Sequence, residues 1–357
     1  MKILEVIPSL QSAGAERLVV ELSNELSRRE GIEVTILQLY PFNEKDLLKP
    51  LVDKTVIVKS LNKPKGFNLF CYFKLAKFIK NGKYDVVHTH TNATLYLLWT
   101  TLINRGPIYC STIHSDAKRE AGGLLTSCLK KILYKFRLCV PITISERSNQ
   151  SFVDYYHLQA PIIYNGIKPF NGSLPKDNKN KELFIFVHIA RTHPIKNQVM
   201  LYRCINRLAL EGYKVLLYHY GRFYDEEVSK QLESLKTDNI IFAGETEMPQ
   251  IILQQADALC MSSLMEGMPM TIIEAFSVAC PVITTPVGGC VNMVEEGYNG
   301  LLSKSTDEVD YYEALKKFVN LTYEEREEMR KNAYKSFKKY DIRETAENYL
   351  KVFKKQL

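Results

Sequence analysis

Ser262–Gly289 reads SSLMEGMPMTIIEAFSVACPVITTPVGG. The stretch follows an apolar run, Asp257–Cys260, and contains a second one, Pro281–Thr284. Between the two, Glu266-Gly267-Met268-Pro269 forms a glycine-containing turn into a helical pattern that begins near Met270. Strand, turn, helix and strand in that order make one repeat of a parallel α/β sheet, because parallel strands need a crossover. Such a turn leaves backbone N–H groups unpaired at the positive end of a helix, which suits a phosphate. Glu266 and Glu274, eight residues apart on either side, can accept hydrogen bonds from sugar and ribose hydroxyls. Taken alone, the turn also fits an ordinary strand-to-helix connection with surface glutamates.

The same alternation extends outward over the chain. Upstream, strand patterns fall at Lys2–Ile7, Glu33–Leu39, Thr55–Lys59, Asp85–His88, Ile108–Thr112, Val140–Ile144 and Pro161–Tyr164. Helical patterns lie between several of them; in Glu16–Arg29, Leu18, Val19, Leu22 and Leu26 share one face. The series restarts at Leu183–Ile189, Lys214–Tyr218, Asn239–Phe242, Asp257–Cys260 and Pro281–Thr284, and from about Asp307 the pattern is helical. Lys168–Glu182, KPFNGSLPKDNKNKE, is polar with no apolar period and reads as an interdomain linker. The expectation is two doubly wound α/β domains facing a central cleft, with ligands at the carboxyl ends of the strands.

Composition narrows the class. The chain has 357 residues, enough for two domains at roughly 150 each, and a mean hydropathy of −0.17 with no run near the ~18 apolar residues of a membrane span. Glu5 interrupts MKILEVIPSL where a signal peptide needs its apolar centre. The eight cysteines form no C-x-x-C pair, so a reduced, cytoplasmic protein is expected. Residues 1–170 hold 23 Lys/Arg against 14 Asp/Glu, whereas residues 171–357 hold 24 against 26. A basic first half fits nucleic acid, anionic lipid or a phosphorylated substrate, and equally a solvated lysine-rich surface. Several catalytic classes lack their motifs. There is no D-x-D metal site, no G-x-G-x-x-G and no G-x(4)-G-K-[ST]. Glu266 and Glu274 on one helix would stand ~12 Å apart, beyond the ~5–9.5 Å between glycosidase carboxylates.

Wider context gives the 262–289 stretch a chemical meaning. Ala256-Asp257-Ala258, Ser262-Ser263, Glu266-Gly267, Glu274-Ala275, Pro281-Val282, Val287-Gly288-Gly289 and Gly297-Tyr298-Asn299-Gly300-Leu301 follow one another in order. This series resembles the E-x7-E region of the retaining glycosyltransferases of family 4, which have the GT-B fold. Met268, Met270 and Ala279-Cys280 are departures from the common pattern. Upstream, Ser12-Ala13-Gly14-Ala15-Glu16-Arg17 is similar to the family's glycine loop ahead of the first helix. Asp85–His90, Thr112-Ile113-His114, Ile144-Ser145-Glu146 and Tyr164-Asn165-Gly166-Ile167 follow as further landmarks. Ala190–Asn197, ARTHPIKN, resembles the family's G-R-x(4)-K pattern with Ala190 in place of glycine.

The resemblance implies two Rossmann-like domains. Residues 1–170 would bind the acceptor, residues 171–341 the nucleotide-sugar donor, and a helix at about 342–357 would pack back on the first domain. It further implies a catalytic set of Arg191, Lys196 and Glu266, the two cations neutralising the departing diphosphate. Gly14, His114, Gly267, Met268, Pro269, Met270, Thr271 and Glu274 would contact the donor, Glu274 at the ribose. His88 and His90 would be structural or line the acceptor side. No metal and no cofactor are expected. The expected partners are a nucleotide-sugar, a UDP-sugar being the commonest family choice, a glycan or lipid-linked acceptor of cell-surface polysaccharide synthesis, and no nucleic acid. Basic, aromatic segments at Lys63–Lys83 and Ser127–Arg137 add an expected anionic membrane surface, at the inner face of the cell membrane. Two alternatives stay open: a sugar-nucleotide-binding regulator without turnover, and a GT-B sugar-nucleotide epimerase.

Overall fold

The structure is a computed structural model and describes residues 1–11, 14–64, 66, 68–174 and 182–356. The chain divides into two compact units, Met1–Lys168 with Lys339–Leu357, and Pro169–Lys338. Ser12 and Ala13 of the first glycine loop, Lys65 and Phe67 of the basic segment, and residues 175–181 of the linker lie outside the described residues.

In the first unit, β1 (Lys2–Ile7), β2 (Glu33–Gln38), β3 (Ile57–Ser60), β4 (Val86–His90), β5 (Ile108–Ile113) and β6 (Val140–Thr143) form a sheet in the order β3-β2-β1-β4-β5-β6. Its helices are α1 (Gly14–Ser27), α2 (Phe70–Gly82), α3 (Leu97–Ile103), α4 (Ala117–Ala121), α5 (Leu124–Lys135) and α6 (Glu146–Tyr156). The second unit repeats the plan with β7 (Phe184–Ile189), β8 (Val215–Tyr220), β9 (Ile240–Gly244), β10 (Ala258–Met261), β11 (Val282–Thr284) and β12 (Gly300–Leu302), ordered β12-β11-β10-β7-β8-β9. Here the helices are α7 (Gln198–Leu210), α8 (Glu226–Leu235), α9 (Pro249–Gln254), α10 (Met270–Ser277), α11 (Cys290–Met293), α12 (Glu308–Val319) and α13 (Tyr323–Phe337). A last helix, α14 (Ile342–Gln356), belongs to the first unit. The strand pairs are parallel. In both sheets the chain works outward from the first strand, then returns beside it and works outward the other way. That reversal opens a ligand-binding crevice at the strands' carboxyl ends, between β1 and β4 and between β7 and β10.

Both faces of each sheet are covered, which is why the strands read as apolar runs instead of alternating. Ile3 and Ile7 of β1 join Leu18, Leu22, Tyr349 and Phe353 of α1 and α14 on one face, while Leu4 and Val6 join Leu75 and Phe152 of α2 and α6 on the other. Glu5 falls between Ile3 and Ile7, so the period of two puts a carboxylate on the α1–α14 face. The register sets it beside His88, and sets His88 beside Cys110 and His90 beside Thr112. In the second unit Phe186, Leu217 and Ile283 pack under Leu201, Ile205 and Phe318.

Two strand readings need correction. Pro161–Tyr164 is not a strand of the sheet: a single bridge joins Ile162 to Thr143, supported by hydrogen bonds from Thr143 N to Pro161 O and from Ile163 N to Thr143 O. Pro161 has no N–H for a ladder, so the pairing cannot extend back through it and remains a single bridge. Conversely, Gly300–Leu302 forms the edge strand β12, too short to show a pattern of its own. Among the described residues no helix is long and apolar enough to cross a membrane.

Candidate functional site

In the second unit the two central connections carry the residues of interest. The chain leaves β7 through Ala190 and Arg191 and makes a short 3-10 turn at Pro194–Lys196 before α7. It leaves β10 through Ser262–Pro269 into α10. Because β7 and β10 are neighbours, both connections emerge side by side and are bonded together. Leu264 N donates to Ile195 O at 2.7 Å, and Ser262 Oγ donates to the carbonyls of Lys196 and Asn197 at 2.9 and 3.0 Å.

On this base Lys196 Nζ donates to Glu266 Oε1 at 2.6 Å, and the same oxygen accepts Ser263 Oγ at 2.6 Å. The lysine side chain is 27 % exposed and the glutamate 9 %, so the pair is shielded yet reachable. An ammonium has three donors; Lys196 can hold Glu266 and still donate a hydrogen bond to an arriving phosphate oxygen. Arg191 is exposed, with its guanidinium 4.4 Å from the centre of the Tyr224 ring, a cation–π contact that orients it without using its N–H donors. Its carbonyl is held by Gln198 Nε2 at 2.8 Å.

Gly267 is exposed, Met268 and Pro269 are buried, and Met270 and Thr271 are half-buried at the start of α10. No side chain caps that helix; Ile272 N turns back to Pro269 O at 3.2 Å in its first turn. Glu274 is buried one turn further on. The shape of the Glu266-Gly267 turn depends on two glycines the sequence reading did not single out for it. Gly288 has φ +54°, and a Cβ there would lie 1.7 Å from Glu266 O; one on Gly289 would lie 2.1 Å from Gly267 O, which instead accepts Gly289 N at 2.8 Å.

In the first unit Gly14 is exposed as the first residue of α1. His114 follows β5, is half-buried, and ends a polar chain that runs into the buried sheet. Its Nε2 lies 2.9 Å from His90 Nδ1, and His90 Nε2 lies 2.8 Å from Glu5 Oε2. His88 Nδ1 is 2.9 Å from the same oxygen, His88 Nε2 is 2.7 Å from Thr112 Oγ1, and Thr112 Oγ1 is 2.9 Å from Tyr349 OH. Burial raises the pKa of Glu5, but His88 and His90 outweigh it and bring the carboxyl down to about 2. Burial, then the nearby His88, lowers His90 to about 4 despite Glu5, and burial holds His114 well below the usual histidine range. Glu5, His88 and His90 bring three atoms of metal-ligating type within 4.8 Å of one another. Both nitrogens of His90 already face partners, so a cation there would have to break the chain. Sequence reading missed Glu5 in this role, although a charge inside KILEVI was the available signal.

Comparison with known proteins agrees with the fold and the motif order. The sequence pattern of the family described as Glycosyltransferase Family 4 matches residues 12–169, and that of Glycosyl transferases group 1 matches residues 172–336. A Campylobacter jejuni relative, GalNAc-alpha-(1->4)-GalNAc-alpha-(1->3)-diNAcBac-PP-undecaprenol alpha-1,4-N-acetyl-D-galactosaminyltransferase, is 25% identical over 99% of this chain and 98% of its own. An Escherichia coli UDP-Gal:alpha-D-GlcNAc-diphosphoundecaprenol alpha-1,3-galactosyltransferase is 27% identical over 68% of each chain. Among solved structures, HepE of Anabaena in complex with UDP and glucose superposes with a TM-score of 0.79 at 19% identity, covering 99% of both chains. With the two family patterns spanning its two units, the chain is a glycosyltransferase of family 4, and its fold is GT-B.

Proposed function

We propose that this glycosyltransferase moves a sugar from a UDP-sugar to a saccharide carried on a lipid diphosphate, with retention at the anomeric carbon and without a metal ion. The observation that carries the reading is the Lys196–Glu266–Ser263 group, which sits where the sheet order reverses, with Lys196 on the same β7–α7 connection as Arg191. It combines cations for a diphosphate with a carboxylate for sugar hydroxyls. The relatives add substrate class, since two of them act on undecaprenol-diphosphate saccharides by name and one neighbour was solved with UDP. Residues 171–341 would then hold the donor and residues 1–170 the acceptor.

In the proposed step the bond between the anomeric carbon and the diphosphate oxygen breaks, and its electron pair stays on that oxygen. Arg191 and Lys196 stabilise the charge that develops there. The acceptor hydroxyl bonds to the anomeric carbon from the same face, and its proton passes to the departing phosphate oxygen. Glu266 orients the sugar hydroxyls and Glu274 the ribose. The amides of Gly267–Thr271 and the Gly14 loop hold phosphate and sugar, and His114 lies beside the donor sugar.

A lipid-linked acceptor fits an enzyme that works on an anionic bilayer at the cytoplasmic face. Exposed Phe70 and Phe73 on α2, Trp99 and Ile103 on α3, Ile132 on α5 and Phe136 just after it accompany exposed Lys74, Lys77, Lys80, Lys131 and Lys135. Each such lysine contributes ~1 kcal/mol near anionic lipid. Lys130 is not part of that surface: it is buried and donates to Glu120 O at 2.8 Å.

A panel of UDP-sugars is to be screened by thermal stabilisation, and the best donor incubated with undecaprenyl-diphosphate-linked N-acetylhexosamine. The reading expects a lengthened saccharide whose new linkage has the donor's anomeric configuration by NMR coupling. An inverted linkage, or stabilisation without transfer to any lipid-linked saccharide, contradicts it.

A further inference from the structure

Glu5 is a charge placed in the centre of a strand where the fold has no packing use for one. It is fully buried, as are His88 and His90, and the β1–β4 register delivers the three to one face. An ionised carboxylate only accepts hydrogen bonds. His90 Nε2, 2.8 Å from Glu5 Oε2, must therefore carry a proton. In a neutral imidazole the other nitrogen is then bare, so His90 Nδ1 accepts, and the 2.9 Å contact to His114 Nε2 requires the proton to sit on His114. His114 Nδ1 is left as a lone pair. It is buried and has no partner, a state that costs free energy unless a ligand completes it.

We propose that Glu5 is a positioning residue of the glycosyltransferase: acting through His90, it fixes His114 as the Nε2–H tautomer and so presents the His114 Nδ1 lone pair as an acceptor for a donor-sugar hydroxyl. The clause about the sugar rests on the donor reading given above; the tautomer relay does not. Low proton affinity of both histidines supports it, since burial and, for His90, the neighbouring His88 hold them neutral at pH 7. A cationic His90 would carry protons on both nitrogens and reverse the bond to His114. The arm through His88, Thr112 and Tyr349 starts from the same carboxylate oxygen but does not pass through His114.

The test is a long-range proton–nitrogen NMR correlation on the full chain with 15N-labelled histidine at pH 7.5, the peaks assigned with His90→Gln and His114→Gln. The wild type is expected to show His114 as a single neutral Nε2–H form; an Nδ1–H form or an imidazolium overturns the proposal without any variant being made. Glu5→Gln keeps the volume but can turn its amide NH2 toward His90. It is expected to give mixed or reversed tautomers at His114 and a drop of ~10-fold or more in kcat/KM, while Tyr349→Phe leaves the His114 pattern as it is. An unchanged His114 pattern in a folded Glu5→Gln protein overturns the relay. Adding UDP-glucose, UDP-galactose and UDP-N-acetylgalactosamine in turn reads the other assumption separately. A shift of His114 Nδ1 with one of them supports the sugar contact, and no shift with a correct tautomer defeats the donor reading while the relay stands.

Discussion

Lys196 shows how a local pattern and a distant partner divide the information about one side chain. Its place in ARTHPIKN was readable, as was that of Glu266, because both belong to ordered motifs. Their 2.6 Å contact was not, since it depends on β7 and β10 being neighbours in the sheet. Ser263 and Gly288 were quoted in the sequence motif, but only the folded loop shows that one bonds Glu266 Oε1 and the other lets the Glu266 carbonyl come close. Lys196→Ala should lower kcat by ~10²–10³ with a smaller change in donor affinity, if charge on the leaving diphosphate grows mainly in the transition state. Steady-state kinetics with saturating acceptor read this, and a change confined to KM would count against it. Gly288→Ala places a methyl group against Glu266 O on a backbone of φ +54°, so the turn must move. Thermal unfolding should show a loss of roughly 1–3 kcal/mol, with activity falling further than stability.

At the scale of elements, the helical pattern that becomes α14 was visible in the residues, while the domain it would pack on came only from the resemblance. A stripe tells which side of a helix is buried; it does not name the neighbour. Tyr349 and Phe353 are fully buried against the α1 face of the first sheet, with Phe353 also 5.7 Å from the His88 ring. Phe353→Ala should therefore cost about 3–5 kcal/mol. The denaturation step of the first unit should move to lower urea while that of the second stays, and equal shifts in both would show that the helix stabilises something else. Pro161–Tyr164 and β12 mark the opposite limit. Short runs of three or four residues carry too few alternations to separate an edge strand from a loop, and one proline decides between them.

Over the whole molecule, buried histidines link stability to acid. Burial lowers His90 and His219 to about 4, and burial with the nearby His219 lowers His188 to about 3, all from an ordinary 6.5. Each folded unit thus binds fewer protons than its unfolded chain below pH 6.5, so protonation favours unfolding. Stability should be steady above about pH 7 and fall as pH drops from 6.5 toward 4, and Glu5 adds a further loss between 4.5 and about 2. Melting curves from pH 8 to 4 check the sign; a melting temperature that rises on acidification would refute it. The basic excess of residues 1–170 belongs to the same scale. Flotation should show binding to anionic vesicles that weakens with salt as the Debye length shortens, and equal recovery with neutral vesicles would argue against an electrostatic contribution.

The central claim is that side-chain cations of the second unit, with no metal ion, carry the charge of the departing diphosphate. The measurement that reaches it most directly is sugar transfer from the best UDP-sugar to an undecaprenyl-diphosphate saccharide in excess EDTA, wild type beside Arg191→Ala/Lys196→Ala. The account predicts undiminished wild-type turnover in EDTA, and a double variant that still binds UDP but transfers slower by at least ~10³. Wild-type turnover that stops in EDTA and returns on titration with Mg²⁺ or Mn²⁺, or a double variant as fast as the wild type, would contradict it.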